Sequence, residues 1–146
     1  MMSQNFKILI FFLITFIVIA GCTTVNVRKV DSSKHQINLI CIEENQKVLV
    51  IDFLQVIENG FMQHGIKTEI FTGNAPPYCE YILTYRAGRS WDFVPYMNQA
   101  ELRLKYDNKT IATATYKHSG GFAFNKWAST ETKMAPIIDE LLSDFK

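Results

Sequence analysis

Cys22 carries the clearest chemistry in this chain. Ile19, Ala20 and Gly21 precede it, and small residues beside a thiol leave both the sulfur and the preceding peptide bond open to enzymes. Further upstream, Lys7 introduces an apolar run from Ile8 to Ala20 that only Thr15 interrupts. A basic residue, a short apolar stretch and a small-residue break form the layout of a secretory signal. A spanning helix takes about 20 apolar residues, and a run of about 10–14 falls short of it. Residues 1–21 therefore read as a leader. Cys41 and Cys79 would then reach an oxidising compartment, where such a pair reads as a disulfide. Two buried thiols or a metal site are the alternatives, although neither cysteine has a His at ligand spacing.

The other candidates are mostly aromatic. Arg89-Ser90-Trp91-Asp92-Phe93 with Pro95-Tyr96 combines rings favoured as anchors in recognition surfaces with charges able to pair or to hold a polar ligand. Packing of these rings over the end of a sheet is the competing reading. Phe122, Phe124 and Trp127 follow Gly120-Gly121, and form either a partner-binding lip or a loop folded over the core. Trp91, Asp92, Tyr96, Phe122, Phe124 and Trp127 are thus the candidate binding residues.

Catalytic equipment does not emerge. The chain shows no Ser or Cys nucleophile motif, no phosphate loop and no carboxylate–His arrangement. Asp92, Glu101 and Glu80 are candidates for a carboxylate pair, with Glu101 on the solvated face of its strand. His35, His64 and His118 are scattered, without the His-x-x-x-His spacing of a helical metal site, and read as surface or cap residues. The expectation is no metal, no cofactor and no catalytic residue.

The elements that must position these groups follow from periodicity. Ile37 to Ile42 reads as a strand buried on both faces. Val50, Phe53, Leu54, Ile57 and Phe61 form the stripe of an amphipathic helix ending at Gly65. Gly60 inside it costs about 1 kcal/mol against Ala, which suggests close approach by another backbone. Ile66–Thr72, Cys79–Ala87, Ala100–Tyr106 and Thr110–Tyr116 alternate as strands, the last two joined by an Asp107-Asn108-Lys109 turn. Thr130 to Phe145 reads as a helix capped by Thr130 or Thr132, with Pro136 tolerated in its first turn or at a kink. The order β-α-β-β-β-β-α predicts an α+β two-layer domain, a mixed, mostly antiparallel sheet with two helices on one face. Residues 37–146 would form this domain, and the polar segment 22–36 would tether it.

The 15 Lys and Arg against 14 Asp and Glu include Lys7 of the leader, so the mature part is formally neutral. No basic stripe is present, which argues against nucleic acid as a partner.

Ile19-Ala20-Gly21-Cys22 resembles the lipobox of bacterial lipoprotein precursors. That resemblance implies a thioether-linked diacylglyceryl group on Cys22, cleavage before it and acylation of the new amine. Each buried methylene is worth about 0.8 kcal/mol, so two or three chains anchor far more firmly than one. Thr23, where Asp would favour retention at the inner membrane, implies by resemblance to enterobacterial sorting an outer-membrane address on the periplasmic side. Ile40-Cys41-Ile42-Glu43-Glu44-Asn45, Cys79-Glu80-Tyr81-Ile82-Leu83-Thr84-Tyr85, Ser90-Trp91-Asp92-Phe93, Ala100-Glu101-Leu102-Arg103-Leu104 and Thr132-Lys133-Met134-Ala135-Pro136-Ile137-Ile138 together resemble a family of small lipoproteins of Gram-negative bacteria. This second resemblance implies lipidation at Cys22 and brings no activity, ligand or catalytic residue. The resulting expectation is a membrane-anchored binding or envelope-assembly accessory, with an envelope protein or glycolipid as partner. A small-molecule-binding or hydrolytic periplasmic domain is the alternative.

Overall fold

The structure, a computed structural model, describes residues 22–120 and 124–145. The leader and Phe122 lie outside the described residues. In chain order the elements are β1 (Cys22–Arg28), β2 (Leu39–Glu43), α1 (Phe53–Gln63), β3 (Lys67–Phe71), β4 (Tyr81–Asp92), β5 (Val94–Tyr106), β6 (Lys109–Ser119), a 3-10 turn (Phe124–Trp127) and α2 (Thr130–Leu141). They form an α+β two-layer domain whose six-stranded sheet runs β1-β6-β5-β4-β2-β3. Neighbours from β1 to β4 are antiparallel, while β2 is parallel to both β3 and β4.

β1 is a correction to the sequence reading. The segment expected to begin a polar tether pairs instead with β6 from Cys22↔Ser119 to Arg28↔Thr113. Thr23, Thr24, Val25 and Val27 are β-branched and suit a pleated edge, and pairing covers the backbone groups that β6 would otherwise leave open.

The helices lie on one face. Phe53, Ile57 and Phe61 of α1 and Met134, Ile138 and Leu141 of α2 share a buried cluster with Leu83, Tyr85, Leu102, Leu104, Ala112 and Tyr116 of the sheet. A Cβ on Gly60 would stand 2.9 Å from both Cδ1 and Cγ2 of Ile138. The close approach expected at Gly60 is therefore made by a side chain of the other helix, not by backbone. α1 starts at Phe53 rather than Val50. α2 is capped by Ser129, whose Oγ accepts from the Thr132 amide at 3.1 Å, in place of Thr130 or Thr132. Pro136 sits inside α2 on its exposed side, where water can serve the carbonyl one turn back.

The opposite sheet face is polar. At β2 and β3 it is crossed by the Gly73–Pro77 connection, which the Cys41–Cys79 disulfide holds, with Cα atoms 5.8 Å apart. Cys41 is buried but stands apart from the apolar cluster that takes in Ile40 and Ile42. Over β4, β5, β6 and β1 this face stays open. Beyond Gly88↔Gln99, β4 and β5 leave the sheet as a two-stranded ribbon, closing at Asp92↔Val94. The register shifts between Gly88 and Arg89, and a Cβ on Gly88 would meet the Gln99 side chain at 2.7 Å. That crowding explains glycine at the bulge. No described helix is long and apolar enough to cross a membrane.

Candidate functional site

At the end of the ribbon, Trp91 is 73% exposed, Phe93 83% and Val94 50%. The turn places Phe93 alone between the paired Asp92 and Val94, at φ 61°. Glycine or asparagine occupies that backbone region with little penalty, whereas a bulky residue there is an outlier. The ribbon thus carries an aromatic side chain at a strained apex in full contact with solvent. Of the two readings of this cluster, packing over the sheet does not describe Trp91.

The ribbon is braced from behind. The Trp127 indole N–H donates to the Asp92 carbonyl at 3.2 Å, and Lys126 pairs with the Asp92 carboxylate. The Lys126 ammonium also lies 4.4 Å from the centre of the Trp127 ring, a cation–π geometry. Lys133, buried on α2, donates to the Met97 carbonyl at 2.9 Å and to the Lys126 carbonyl at 2.5 Å. Its ammonium stands 5.7 Å from the Tyr96 ring and 5.8 Å from the Tyr116 ring. Burial lowers the Lys133 pKa below the usual lysine value. The arrangement joins Asp92, Tyr96 and Trp127 of the sequence-predicted set into one cluster, while Trp91 stands out from it in solvent. Phe124 begins the 3-10 turn.

His118 belongs to this brace and corrects its reading as a surface or cap residue. It is buried, with Nδ1 3.1 Å from the Thr23 hydroxyl and its ring edge-on to Tyr96 at 6.1 Å. Among the described residues its Nε2 has no hydrogen-bond partner. Burial, then the charges of Lys133 and Lys126, lower its pKa. His118 alternates with Ala112, Ala114 and Tyr116, and that period was the signal of an inward side chain. Lys133 stands four residues before Ile137, on the apolar stripe of α2, a placement the sequence reading passed over. His64 does cap α1, its ring nitrogens 3.0 Å from the Phe145 carbonyl and 2.9 Å from Asp139. His35 packs edge-on against Tyr81 and Tyr106.

The open sheet face forms a second candidate, a shallow concavity of about 1180 Å³ lined by residues including Thr24, Asn26, Thr84, Arg86, Glu101 and Arg103. Glu101 pairs with Arg103 and lies 3.9 Å from Arg86. Such a surface offers alternating donors and acceptors to an extended polar partner. It does not gather the three candidate carboxylates: Asp92 is at the ribbon end, Glu101 within β5, and Glu80 just before the opposite end of β4. Among the described residues no group of three or more His, Cys, Asp and Glu side chains stands at metal-binding spacing.

No protein-family model and no curated protein sequence matches the chain. Among solved structures, a PelC dodecamer from Paraburkholderia phytofirmans, carrying a single Leu-to-Met substitution, is similar with a TM-score of 0.59 at 12% identity, covering 82% of this chain and 97% of its own. A second PelC dodecamer structure from the same organism aligns with a TM-score of 0.48 at 11% identity, covering 80% and 97%. At that identity the likeness of the first is one of fold.

Proposed function

We propose that this chain is a lipoprotein of the bacterial envelope, held at the periplasmic face of the outer membrane through Cys22. There it serves as a non-enzymatic binding or assembly domain for an envelope protein or glycolipid. The observation that carries the reading is Cys22 itself. Its sulfur follows a secretory leader pattern and is exposed at the free end of an edge strand, within reach of modifying enzymes. The open polar face of the sheet supports a binding role, since its charges are arranged for contact rather than proton transfer. The neighbour of the same fold is a dodecamer, which fits an assembled role, and the outward edges of β1 and β3 are the strands available for it.

Mass spectrometry of the protein from cells tests the anchor. The expected mature species starts at Cys22 and carries acyl mass, and Cys22→Ala abolishes both. A leader still attached, or a terminus without acyl mass, refutes the reading. Photo-crosslinkers at Thr84 and Thr115, on the open face, should trap one discrete envelope partner in intact cells.

The small-molecule reading is favoured by one feature, the Arg86–Glu101–Arg103 group in the concavity. Saturable binding of a low-molecular-weight polar ligand, lost on Arg103→Ala, would move the assignment there.

A further inference from the structure

We infer that the tip of the β4–β5 ribbon is a second membrane contact, in which Trp91, Phe93 and Val94 enter the interfacial layer of the bilayer that holds Cys22. This rests on the lipid anchor proposed above. It adds a surface of the folded domain that the anchor alone does not require.

Register supplies the geometry. Cys22 pairs with Ser119, two residues beyond Lys117, and Lys117 pairs with Gln99. Gln99 pairs with Gly88, from which β4 runs on through Trp91 and Asp92 to Phe93. At about 3.3 Å per residue, Cys22 lies about 7 Å beyond the Gln99 level and Phe93 about 16 Å beyond it, in the same direction. The tip therefore projects about 10 Å past the lipid attachment point, close to the 5–10 Å depth at which interfacial elements bury apolar groups. β2 runs toward the same end, so the loop after it, with exposed Leu49 and Ile51, emerges on that side too.

The chemistry of the tip matches. Trp favours the headgroup level, while Phe93, Val94 and Pro95 are apolar and exposed. Asp92 is the one acidic residue between Gly88 and Gln99, and Lys126 pairs with it, so the tip carries no lone carboxylate into lipid. Exposed Arg89 and Lys117 lie at the base of the ribbon, near the Gln99 level, as cations suited to anionic headgroups. Phe93, 83% exposed, gains when its surroundings become apolar. The bonds from Trp127, Lys126 and Lys133 hold the ribbon outward, so little order has to be imposed on contact.

The test uses the full-length acylated protein, reconstituted into vesicles of phosphatidylethanolamine and phosphatidylglycerol with brominated acyl chains. Trp91→Phe keeps Trp127 and its bond to the Asp92 carbonyl, so the emission of the unmutated protein less that of this variant reports Trp91. Expected are a blue shift of its emission and quenching by the brominated lipid. A red, unquenched emission overturns the inference. The unmutated protein gives an independent reading by hydroxyl-radical footprinting in plain vesicles. Trp91 and Phe93 should lose labelling while Tyr78 and Tyr106, exposed at the opposite end of the sheet, keep it; equal labelling of both ends overturns the inference. Protection that follows protein concentration in the absence of vesicles assigns the tip to a second copy and overturns it as well. Intact mass of the same sample separates the two claims. Acylated protein with a water-exposed tip sinks the contact alone, and a quenched tip without acyl mass sinks the anchor alone.

Discussion

Gly60→Ala sets two opposed terms against each other at the only place where the helices approach through a missing side chain among the glycines described. Alanine in a helix interior gains about 1 kcal/mol over glycine. Against this, the new methyl would stand 2.9 Å from Cδ1 and Cγ2 of Ile138 and 3.3 Å from its Cβ, well inside the 3.5–4.0 Å of ordinary carbon contact. Cδ1 can rotate away about χ2. Cγ2 cannot, because χ1 of isoleucine in a helix is nearly fixed, and Ile138 is fully buried with no space to retreat. Relief requires α1 and α2 to separate by several tenths of an ångström, and overpacking of this kind costs about 1–3 kcal/mol. The clash wins, and the variant loses about 1 kcal/mol, within a range of about 0–2. Urea unfolding followed by circular dichroism measures it, provided the slope with denaturant is unchanged. Ile138→Ala completes a cycle: alone it costs about 2–5 kcal/mol, and in the Gly60→Ala background it should cost at least about 0.5 kcal/mol less, the scale of coupling between touching residues. A Gly60→Ala variant more stable than the parent, or a cycle that closes without coupling, refutes the reasoning.

Reducing the Cys41–Cys79 bridge, with its 38-residue separation, should destabilise the domain by up to about 4 kcal/mol on the loop-entropy model. The Gly73–Pro77 connection should become the first site of proteolysis, and an unchanged urea midpoint under reductant would contradict this. Because His118 has a lowered pKa in the fold, the unfolded chain takes up the proton first as pH drops below the ordinary value of 6.5. Stability from this residue is therefore level above that pH and declines below it. The decline in thermal midpoint should flatten in His118→Gln, and identical profiles for the two proteins would exclude the residue as its source. Lys133→Ala removes the donor to the Met97 and Lys126 carbonyls and should cost about 1–3 kcal/mol. Faster amide exchange confined to the β4–β5 ribbon and the 3-10 turn would show that the lysine braces them, and uniform exchange would show that it does not.

The strands that alternate polar and apolar residues, Ala100–Tyr106 and Thr110–Tyr116, were legible because one face of the sheet is buried and the other is wet. The stripe of α1 was legible for an equally local reason, whereas the pairing of Cys41 with Cys79, 38 residues apart, was read from the leader and the oxidising compartment it predicts. β1 was not, since it lies over an open face at the sheet edge and most of its residues are exposed on both sides. Nothing in Thr23-Thr24-Val25-Asn26 distinguishes an edge strand from a polar tether until β6 is there to pair with. The ribbon failed for a related reason. Past Gly88 the 3-10 turn backs the ribbon from one side while Arg89, Trp91 and Phe93 are exposed, so their apolar members mark no buried face. Ser129, Thr130 and Thr132 are all hydroxyl residues able to cap, and the choice among them depends on where the chain leaves the 3-10 turn.

The loss of the tether changes what the proposed anchor does mechanically. A flexible segment between Cys22 and the domain would let every face of the protein sample the membrane. β1 instead begins at Cys22 itself and is paired along its length with β6, so an acyl group there is joined to the sheet with little slack. The strands must then stand steeply to the bilayer, because the ribbon tip lies further along the same direction and needs room. In that orientation the open polar face would look sideways, its plane along the membrane normal. A partner of the proposed kind would meet Arg86, Glu101 and Arg103 there without competing with lipid, and the helices on the far side keep the core closed. Anchor, ribbon and polar face therefore make compatible demands on one sheet. Adding a long flexible insert after Cys22 would break that compatibility while leaving the fold and the acyl group intact.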